Sequence, residues 1–182
     1  MRSPHRPSRE HKVPVGRNRT LGAADLGDPD GFPVLWFHGT PGGRLQVPPD
    51  APSSAKANGI RLIGVERPGT GWSTPHRYEC VRDFATDVRA LADELRLERF
   101  AVVGLSGGGP YTLACAHDLP GRVVAAAVIG GMGPLTGPDA TAEGPRFLAT
   151  MAPLMDRLAG PVGNALPALI RPLVPHAAAA VR

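Results

Sequence analysis

The sequence predicts an α/β fold in which helices cover both faces of a doubly wound, mostly parallel sheet. Short apolar runs alternate with longer segments of helical periodicity between residues 20 and 132. The runs lack the polar alternation of a half-exposed strand, which is typical of strands buried on both faces. The repeated order of strand and helix favours parallel strands joined by crossover helices.

The first elements are separated by glycine and proline. A weak strand pattern at residues 20–26 ends in the turn residues 27–31, and a continuous apolar strand follows at residues 33–37. A helix is expected within residues 44–58, where prolines delay its start and Gly59 ends it.

The later elements repeat the alternation. Residues 60–65 predict a strand, and residues 81–97 form the clearest helix because apolar side chains recur at three- and four-residue spacing. A short strand at residues 101–103 leads into a helix that stops near residues 118–121, and residues 123–129 predict another apolar strand. The acids of the clearest helix are expected to be solvated: Asp83, Asp87, Asp93 and Glu94.

The positive charge of the chain is concentrated near its N-terminus. The 182 residues carry a formal net charge of +4, but residues 1–19 alone carry +5, so residues 20–182 carry −1. Such a basic, polar stretch is typical of a disordered tail rather than of a folded nucleic-acid-binding face. No nucleic-acid partner is therefore expected, and binding of nucleic acid by the tail is kept as an alternative to be tested.

Composition also excludes several classes of protein. The N-terminal stretch lacks the apolar segment of a secretory signal, and no run approaches the ~18 apolar residues of a membrane helix. Cys80 and Cys115 lack the spacing of a metal site, and Cys115 lies among apolar helix positions. We therefore expect no metal, no cofactor, no membrane association and a reducing, cytoplasmic setting.

The segment with the clearest chemistry follows the strand at residues 101–103. Gly104-Leu105-Ser106-Gly107-Gly108 matches the G-x-S-x-G nucleophile elbow, a turn that exposes a serine hydroxyl between a strand and a helix. Glycines suit this turn because side chains would collide with the neighbouring strand and helix. A close-packed, purely structural turn would show the same pattern. A dinucleotide-binding turn is set aside, because Thr112 stands where its third glycine belongs.

Two further loops follow predicted strands and are expected at the same edge of the sheet. His38-Gly39-Thr40-Pro41-Gly42 follows the first continuous apolar strand, and Glu66-Arg67-Pro68-Gly69-Thr70-Gly71-Trp72-Ser73 follows the next. We interpret His38 as a residue that structures its loop rather than as a proton carrier. Ser73 lacks the surrounding strand, turn and helix of a nucleophile.

Together the three motifs resemble those of the α/β-hydrolase superfamily over residues 20–133. The resemblance is to the bacterial esterase, lactonase and proline-iminopeptidase-like members, although the family usually carries Asp where this chain has Glu66. Epoxide hydrolases and haloalkane dehalogenases share the first two motifs but carry Asp at the elbow. Ser106 therefore favours acyl transfer through an acyl-enzyme.

The resemblance also implies roles for individual residues. Ser106 would be the nucleophile, and the backbone N–H groups of Gly107 and of Thr40, or of its neighbour Gly39, would form the oxyanion hole. The partner would be a small-molecule ester, lactone or amide. The sequence leaves open whether Arg44 and Trp72 touch that substrate, and it does not indicate an oligomeric state.

The acid and base that a serine nucleophile requires are not evident in the sequence. In this family they follow the serine in the order acid, then histidine. His117 would lie about 16 Å along the helix from Ser106 at 1.5 Å per residue, so it cannot reach. His176 is the remaining candidate base, although no strand pattern precedes it.

The domain organisation follows from the same resemblance. We predict a basic disordered tail at residues 1–19, the N-terminal part of a hydrolase core at residues 20–132, and a partial helical lid at residues 133–182. The C-terminal strands that carry the acid and base in the family would then be absent. A non-catalytic binding module or an inactive gene fragment is therefore the alternative to a working hydrolase.

Overall fold

Six strands and three α-helices make up residues 6–133, the part of the chain that this computed structural model describes. The chain divides into two compact units, Met1–Met132 and Gly133–Arg182. The predicted lid segments and His176 lie outside the described residues. The strands are β1 (Arg9–Pro14), β2 (Thr20–Gly27), β3 (Phe32–Phe37), β4 (Ile60–Val65), β5 (Phe100–Leu105) and β6 (Val123–Ile129). The helices are α1 (Ala51–Ala57), α2 (Phe84–Glu94) and α3 (Gly109–Asp118), with 3₁₀ turns at Val81–Asp83 and Ser106–Gly108.

The strands form one sheet in the order β1-β2-β4-β3-β5-β6. The last four strands along the chain are mutually parallel, whereas β1 and β2 run antiparallel to their neighbours. At the centre of the sheet, Leu35 lies opposite Ile63 on one side and Val102 on the other. The predicted mostly parallel α/β sheet is therefore confirmed.

Helices pack on both faces of the sheet. The larger core cluster joins alternate residues of β3, including Leu35 and Phe37, to the apolar faces of α2 and α3. The smaller cluster joins the intervening residue Trp36 to Ala55 of α1 on the opposite face. Because each central strand contributes side chains to both clusters, its apolar run has no polar alternation, as predicted.

The prediction of a disordered tail is wrong for residues 9–14, which form β1 against β2. Val13 and Val15 are buried in the larger cluster, so a short alternation of apolar and polar residues was hidden by the high charge of the stretch. The prediction that Asp87 is solvated is also wrong. Asp87 is buried, and it accepts hydrogen bonds from Arg19 at 2.5 and 2.7 Å and from the Tyr78 hydroxyl at 2.5 Å.

The remaining elements agree closely with their predictions. Helix α1 begins at Ala51 with a proline in its first turn, and Gly59 follows it at φ +63°, a conformation that favours glycine. Cys115 is buried among apolar side chains, and this burial raises the pKa of its thiol to about 12. Within residues 6–133, no helix combines the length and apolarity that a membrane crossing requires.

Candidate active site

The turn after β5 places Ser106 in a conformation that few non-glycine residues adopt. Ser106 has φ +49° and is half-buried at the start of the 3₁₀ turn that leads into α3. A Cβ atom at Gly104 would overlap the Thr112 hydroxyl and lie 2.5 Å from the Gly108 carbonyl oxygen. One at Gly108 would overlap the backbone of Phe37. Glycines thus allow β5, β3 and α3 to approach closely around a strained serine.

The loop after β3 lies against this turn. A Cβ atom at Gly39 would be 3.6 Å from the Cβ atom of Ser106, and one at Gly107 would be 2.7 Å from the Thr40 hydroxyl oxygen. The three residues that the sequence proposes for the oxyanion hole are therefore brought together beside Ser106. A side chain at position 107 would therefore displace the Thr40 hydroxyl.

Among residues 6–133, one of the two candidate N–H groups in the loop after β3 already has a protein acceptor and the other has none. The Gly39 N–H donates to Gln46 Oε1 at 3.0 Å, and the Gln46 amide donates in turn to the Pro41 carbonyl at 2.9 Å. Within residues 6–133 the Thr40 N–H donates no hydrogen bond to protein. The geometry therefore favours Thr40 over Gly39 as an oxyanion donor.

Gly107 supplies the second candidate N–H. It is the second residue of the 3₁₀ turn Ser106–Gly108, and the first N–H groups of a helix have no intrahelical acceptor. The same turn continues into α3, whose N-terminal end carries a partial positive charge. Both features suit the binding of a developing negative charge next to Ser106.

His38 holds the loop after β3 in place. It is 0% exposed, its Nδ1 lies 2.7 Å from the Gly39 carbonyl oxygen, and the backbone N–H of Arg67 donates to its Nε2 at 3.2 Å. Nδ1 therefore carries the proton and donates it to Gly39. Burial lowers the pKa of His38, which favours the neutral ring. The two hydrogen bonds support the interpretation of His38 as a residue that structures its loop.

Arg67 is the residue at this edge of the sheet that the sequence analysis missed. Its guanidinium donates to the carbonyl oxygens of Gly39 and Gly107 at 2.9 and 3.3 Å and to the Thr40 hydroxyl at 2.6 Å. A charged residue directly after a buried parallel strand, in a loop otherwise rich in glycine and proline, was the available signal. It was overlooked because charged loop residues are usually solvated.

The Glu66 carboxylate holds the rest of the loop after β4 in place by hydrogen bonds. This buried carboxylate accepts from the Arg44 guanidinium at 2.5 Å and from the Trp72 backbone N–H at 2.6 Å. The Arg44 guanidinium also stacks on the Trp72 ring, 3.8 Å from its centroid, and bonds Glu10. Arg44 and Trp72 are thus used to hold the loop and β1 together, which explains both side chains without a substrate.

The histidines of the described residues do not serve Ser106. His117 lies at the exposed end of α3, 2.9 Å from Asp118, and His38 is committed to the loop after β3. Within residues 6–133 no imidazole hydrogen-bonds the Ser106 hydroxyl, and no cluster of potential metal ligands is present in the same range. His176 lies outside this range, so its role as a base stays a prediction.

The sequence has relatives among curated proteins. It is 31% identical over 119 residues to a probable proline iminopeptidase of Leptolyngbya boryana, an alignment that covers 64% of this chain and 36% of that protein. It is 30% identical over 129 residues to a proline iminopeptidase of Arabidopsis thaliana, covering 66% and 32%. The aligned part therefore spans about a third of the length of these relatives.

Solved structures share the fold. A hypothetical protein of Pseudomonas aeruginosa PAO1 is 29% identical with a TM-score of 0.56, covering 82% of this chain and 52% of that one. An esterase from Rhodococcus sp. ECU1013 is 20% identical with a TM-score of 0.60, covering 68% and 46%, a likeness that concerns the fold alone. A sequence model for the alpha/beta hydrolase fold matches residues 33–169, which is most of the chain. The chain therefore belongs to the α/β-hydrolase family.

Proposed function

We propose that this chain carries the nucleophile of a serine hydrolase that acts on an ester, lactone or amide carbonyl. The Ser106 oxygen bonds to the carbonyl carbon while its proton passes to a general base. The leaving alcohol or amine departs with a proton, and water then hydrolyses the acyl-enzyme. No metal or cofactor takes part in this scheme.

The proposal is carried by the hydroxyl of Ser106 on a left-handed turn, beside two backbone N–H groups. The φ of +49° is costly for serine, by about 1–2 kcal/mol, and such strain is concentrated at functional positions. Thr40 and Gly107 lie close together beside Ser106, and their N–H groups would stabilise the charged oxygen of a tetrahedral intermediate.

The relatives support a carbonyl substrate but leave its class open. The curated relatives are named proline iminopeptidases, and the solved structures of similar fold include esterases. The same acyl transfer serves a peptide bond and an ester, because both pass through a tetrahedral oxyanion. We therefore propose a small-molecule acyl substrate without choosing between the two.

We place the general base outside residues 6–133, with His176 as the candidate within this chain. The alternative is a non-catalytic binding module or an inactive gene fragment that keeps the elbow for structural reasons. One observation favours that alternative: within the described residues the Ser106 hydroxyl has no imidazole partner. The acid of a triad would lie outside the same range.

We also propose a cytoplasmic setting and no nucleic-acid partner. Cys80 and Cys115 are both free thiols, as expected in a reducing compartment. Two charged residues of the basic N-terminal stretch are engaged within the fold, Arg19 with Asp87 and Glu10 with Arg44. Unchanged retention on heparin after deletion of residues 1–8 would support the second part, and a large loss of retention would contradict it.

A fluorophosphonate probe tests the proposed nucleophile. The wild-type chain and the Ser73→Ala variant are expected to be labelled, whereas Ser106→Ala is expected to be unlabelled, with folding checked by circular dichroism. Loss of labelling in His176→Ala would identify the base. Folded wild-type protein that is not labelled at Ser106 would favour the non-catalytic alternative.

A further inference from the structure

Arg67 contacts both peptide segments that would form the oxyanion hole. Its Nη2 donates to the Gly39 carbonyl at 2.9 Å and to the Thr40 hydroxyl at 2.6 Å, while its Nη1 donates to the Gly107 carbonyl at 3.3 Å. Gly39 and Thr40 belong to the loop after β3, and Gly107 belongs to the turn after β5. One side chain from the loop after β4 therefore joins the two.

The contact with Gly39 fixes the direction of the Thr40 N–H. The Gly39 carbonyl and the Thr40 N–H are the two ends of one planar peptide group, and they point in opposite directions. Arg67 and the His38 ring both donate to this carbonyl, at 2.9 and 2.7 Å, so the N–H is aimed away from them. Donation to the carbonyl also polarises the peptide and strengthens its N–H as a donor.

The contact with Gly107 sets the spacing of the two donors. Gly107 lacks a side chain that would limit its backbone rotation, so an external partner for its carbonyl restricts the turn. Because Arg67 holds Gly39 and Gly107 with the same planar guanidinium, the loop and the turn cannot move apart independently. The distance between the Thr40 and Gly107 N–H groups depends on this link.

The Arg67 guanidinium has further contacts, and its burial costs free energy of folding. It lies over the ring of Tyr111 on α3, 5.4 Å from the centroid, and the Arg67 backbone N–H is bonded to His38. Its Nε is buried and, within residues 6–133, has no hydrogen-bond partner. An unpaired buried donor costs about 1–3 kcal/mol, so stability alone does not explain this placement.

We propose that Arg67 is a positioning residue that orients and polarises the Thr40 peptide and fixes its distance from Gly107. The inference rests on the proposed function, because it assigns Arg67 a role in the oxyanion hole of that reaction. Arg67 does not touch the substrate. Its permanent positive charge lies behind the two carbonyls, where it also favours negative charge on the opposite side of the peptides.

Two substitutions of Arg67 separate charge from geometry. Arg67→Lys keeps the charge and the aliphatic stem but cannot span three acceptors, and Arg67→Gln removes the charge as well. We expect the rate constant for fluorophosphonate labelling and the kcat for a 4-nitrophenyl ester to fall at least ~10-fold in Arg67→Lys and further in Arg67→Gln, with KM within ~2-fold of wild type. The matched control is Arg19→Lys, which weakens a partly buried ion pair without touching the loop after β3.

A spectroscopic readout makes the test independent of activity. In ¹⁵N-labelled protein, the amide resonances of Thr40 and Gly107 are expected to shift in Arg67→Lys and to stay in place in Arg19→Lys. Labelling and kcat at the wild-type level in Arg67→Lys, with unshifted amides, would overturn the inference and leave the proposed function standing. Wild-type protein that is not labelled would instead overturn the proposed function, and the amide shifts alone would then decide whether Arg67 positions this peptide.

A measurement on the wild-type chain covers the case in which the Arg67 variants fail to fold. The bond between Arg67 Nη2 and the Gly39 carbonyl is expected to give a scalar coupling from the guanidinium ¹⁵N to the carbonyl ¹³C. Detection of this coupling supports the link between the loop and the guanidinium. A freely rotating guanidinium with averaged Nη resonances would overturn it.

Discussion

Ser106 and Ser73 lie in glycine-rich segments at the same edge of the sheet, yet their hydroxyl groups have opposite environments. The Ser73 hydroxyl is buried, accepts from the Gly22 N–H at 2.9 Å and donates to the Glu66 carbonyl at 3.2 Å. The Ser106 hydroxyl has no such partner within residues 6–133. The Ser73 hydroxyl is therefore fully hydrogen-bonded within the fold, whereas the Ser106 hydroxyl is left free to contact a ligand by the described part of the chain.

The loop after β4 and the turn after β5 are held in place by different interactions. In the loop after β4, Glu66 provides two oxygens that accept from a backbone N–H and from a guanidinium, so the loop is closed by side chains. In the turn after β5, Gly104 and Gly108 have no side chains, so the backbone packs closely against β3 and α3. Side-chain hydrogen bonds therefore hold the loop after β4, whereas close backbone packing holds the turn after β5 and leaves the Ser106 hydroxyl without a partner among the described residues.

The largest expected effect comes from adding a side chain to the close-packed turn after β5. Gly108→Ala would place a Cβ atom against the Phe37 carbonyl, and backbone cannot move aside as a side chain can. We expect a loss of more than about 4 kcal/mol in the free energy of unfolding and little folded protein. The control is Gly121→Ala, where a Cβ atom would meet nothing within 4 Å. Equal urea midpoints for the two variants would contradict the close approach of β3 and the turn.

The next largest effect comes from removing the Glu66 carboxylate, which holds the loop after β4 by hydrogen bonds. Glu66→Ala leaves the Trp72 N–H without its acceptor and deprives Arg44 of one of its two carboxylates. We expect a loss of about 3 kcal/mol in the free energy of unfolding, measured by urea denaturation, because the Trp72 N–H loses its acceptor and Arg44 keeps only the more exposed carboxylate of Glu10. The exposed Glu98→Ala is the matched control and should change stability by less than about 0.5 kcal/mol. A loss as small as that in Glu66→Ala would show that the loop does not depend on this carboxylate.

The sequence predicted the sheet better than it predicted the polar contacts of the loops. The central strands are apolar throughout and bounded by glycine and proline, so local pattern was sufficient for residues 33–37 and 60–65. Gly104, Ser106 and Gly108 were found because their spacing reflects a local steric constraint. Such constraints are visible within a few neighbouring residues.

Contacts between distant segments left no comparable signal. The bond from Arg67 to Gly39 joins residues 28 positions apart, and the pair of Arg19 and Asp87 joins residues 68 positions apart. Charge alone suggested solvation for Arg19 and Asp87, because the sequence does not show which charge would meet which. The choice of Thr40 over Gly39 likewise depended on Gln46, whose side chain folds back onto the loop.

Alanine substitutions of Ser73 and Ser106 are expected to have opposite effects: one lowers the free energy of unfolding, and the other abolishes fluorophosphonate labelling. Ser73→Ala leaves the buried Gly22 N–H unpaired, so we expect a loss of about 2 kcal/mol in the free energy of unfolding and an unchanged rate of fluorophosphonate labelling. Ser106→Ala removes a hydroxyl without a protein partner among the described residues, so stability should change by less than about 0.5 kcal/mol while labelling is lost. The reverse pattern, with Ser106→Ala destabilised and still labelled, would contradict the assignment of roles.

The smallest effect concerns His38, which belongs to the loop after β3 and is fully buried. Burial lowers the pKa of His38 in the folded chain below its ordinary value of 6.5, and the charge of Arg67 acts in the same direction. Above pH 6.5 the ring is neutral in both states, so its contribution to stability is constant. As the pH falls below 6.5, the unfolded chain takes up a proton that the folded chain does not, and the free energy of unfolding decreases.

The slope from this single group cannot exceed about 1.4 kcal/mol per pH unit. Urea denaturation between pH 7.5 and 5, compared for wild type and His38→Gln, isolates it, because Glu66 and the other charges near the ring are present in both. We expect the stability of wild type to fall more steeply than that of His38→Gln below pH 6.5. Parallel curves would mean that His38 takes up its proton as readily in the folded chain as in the unfolded one. The His38 ring would then be less buried than the structure indicates.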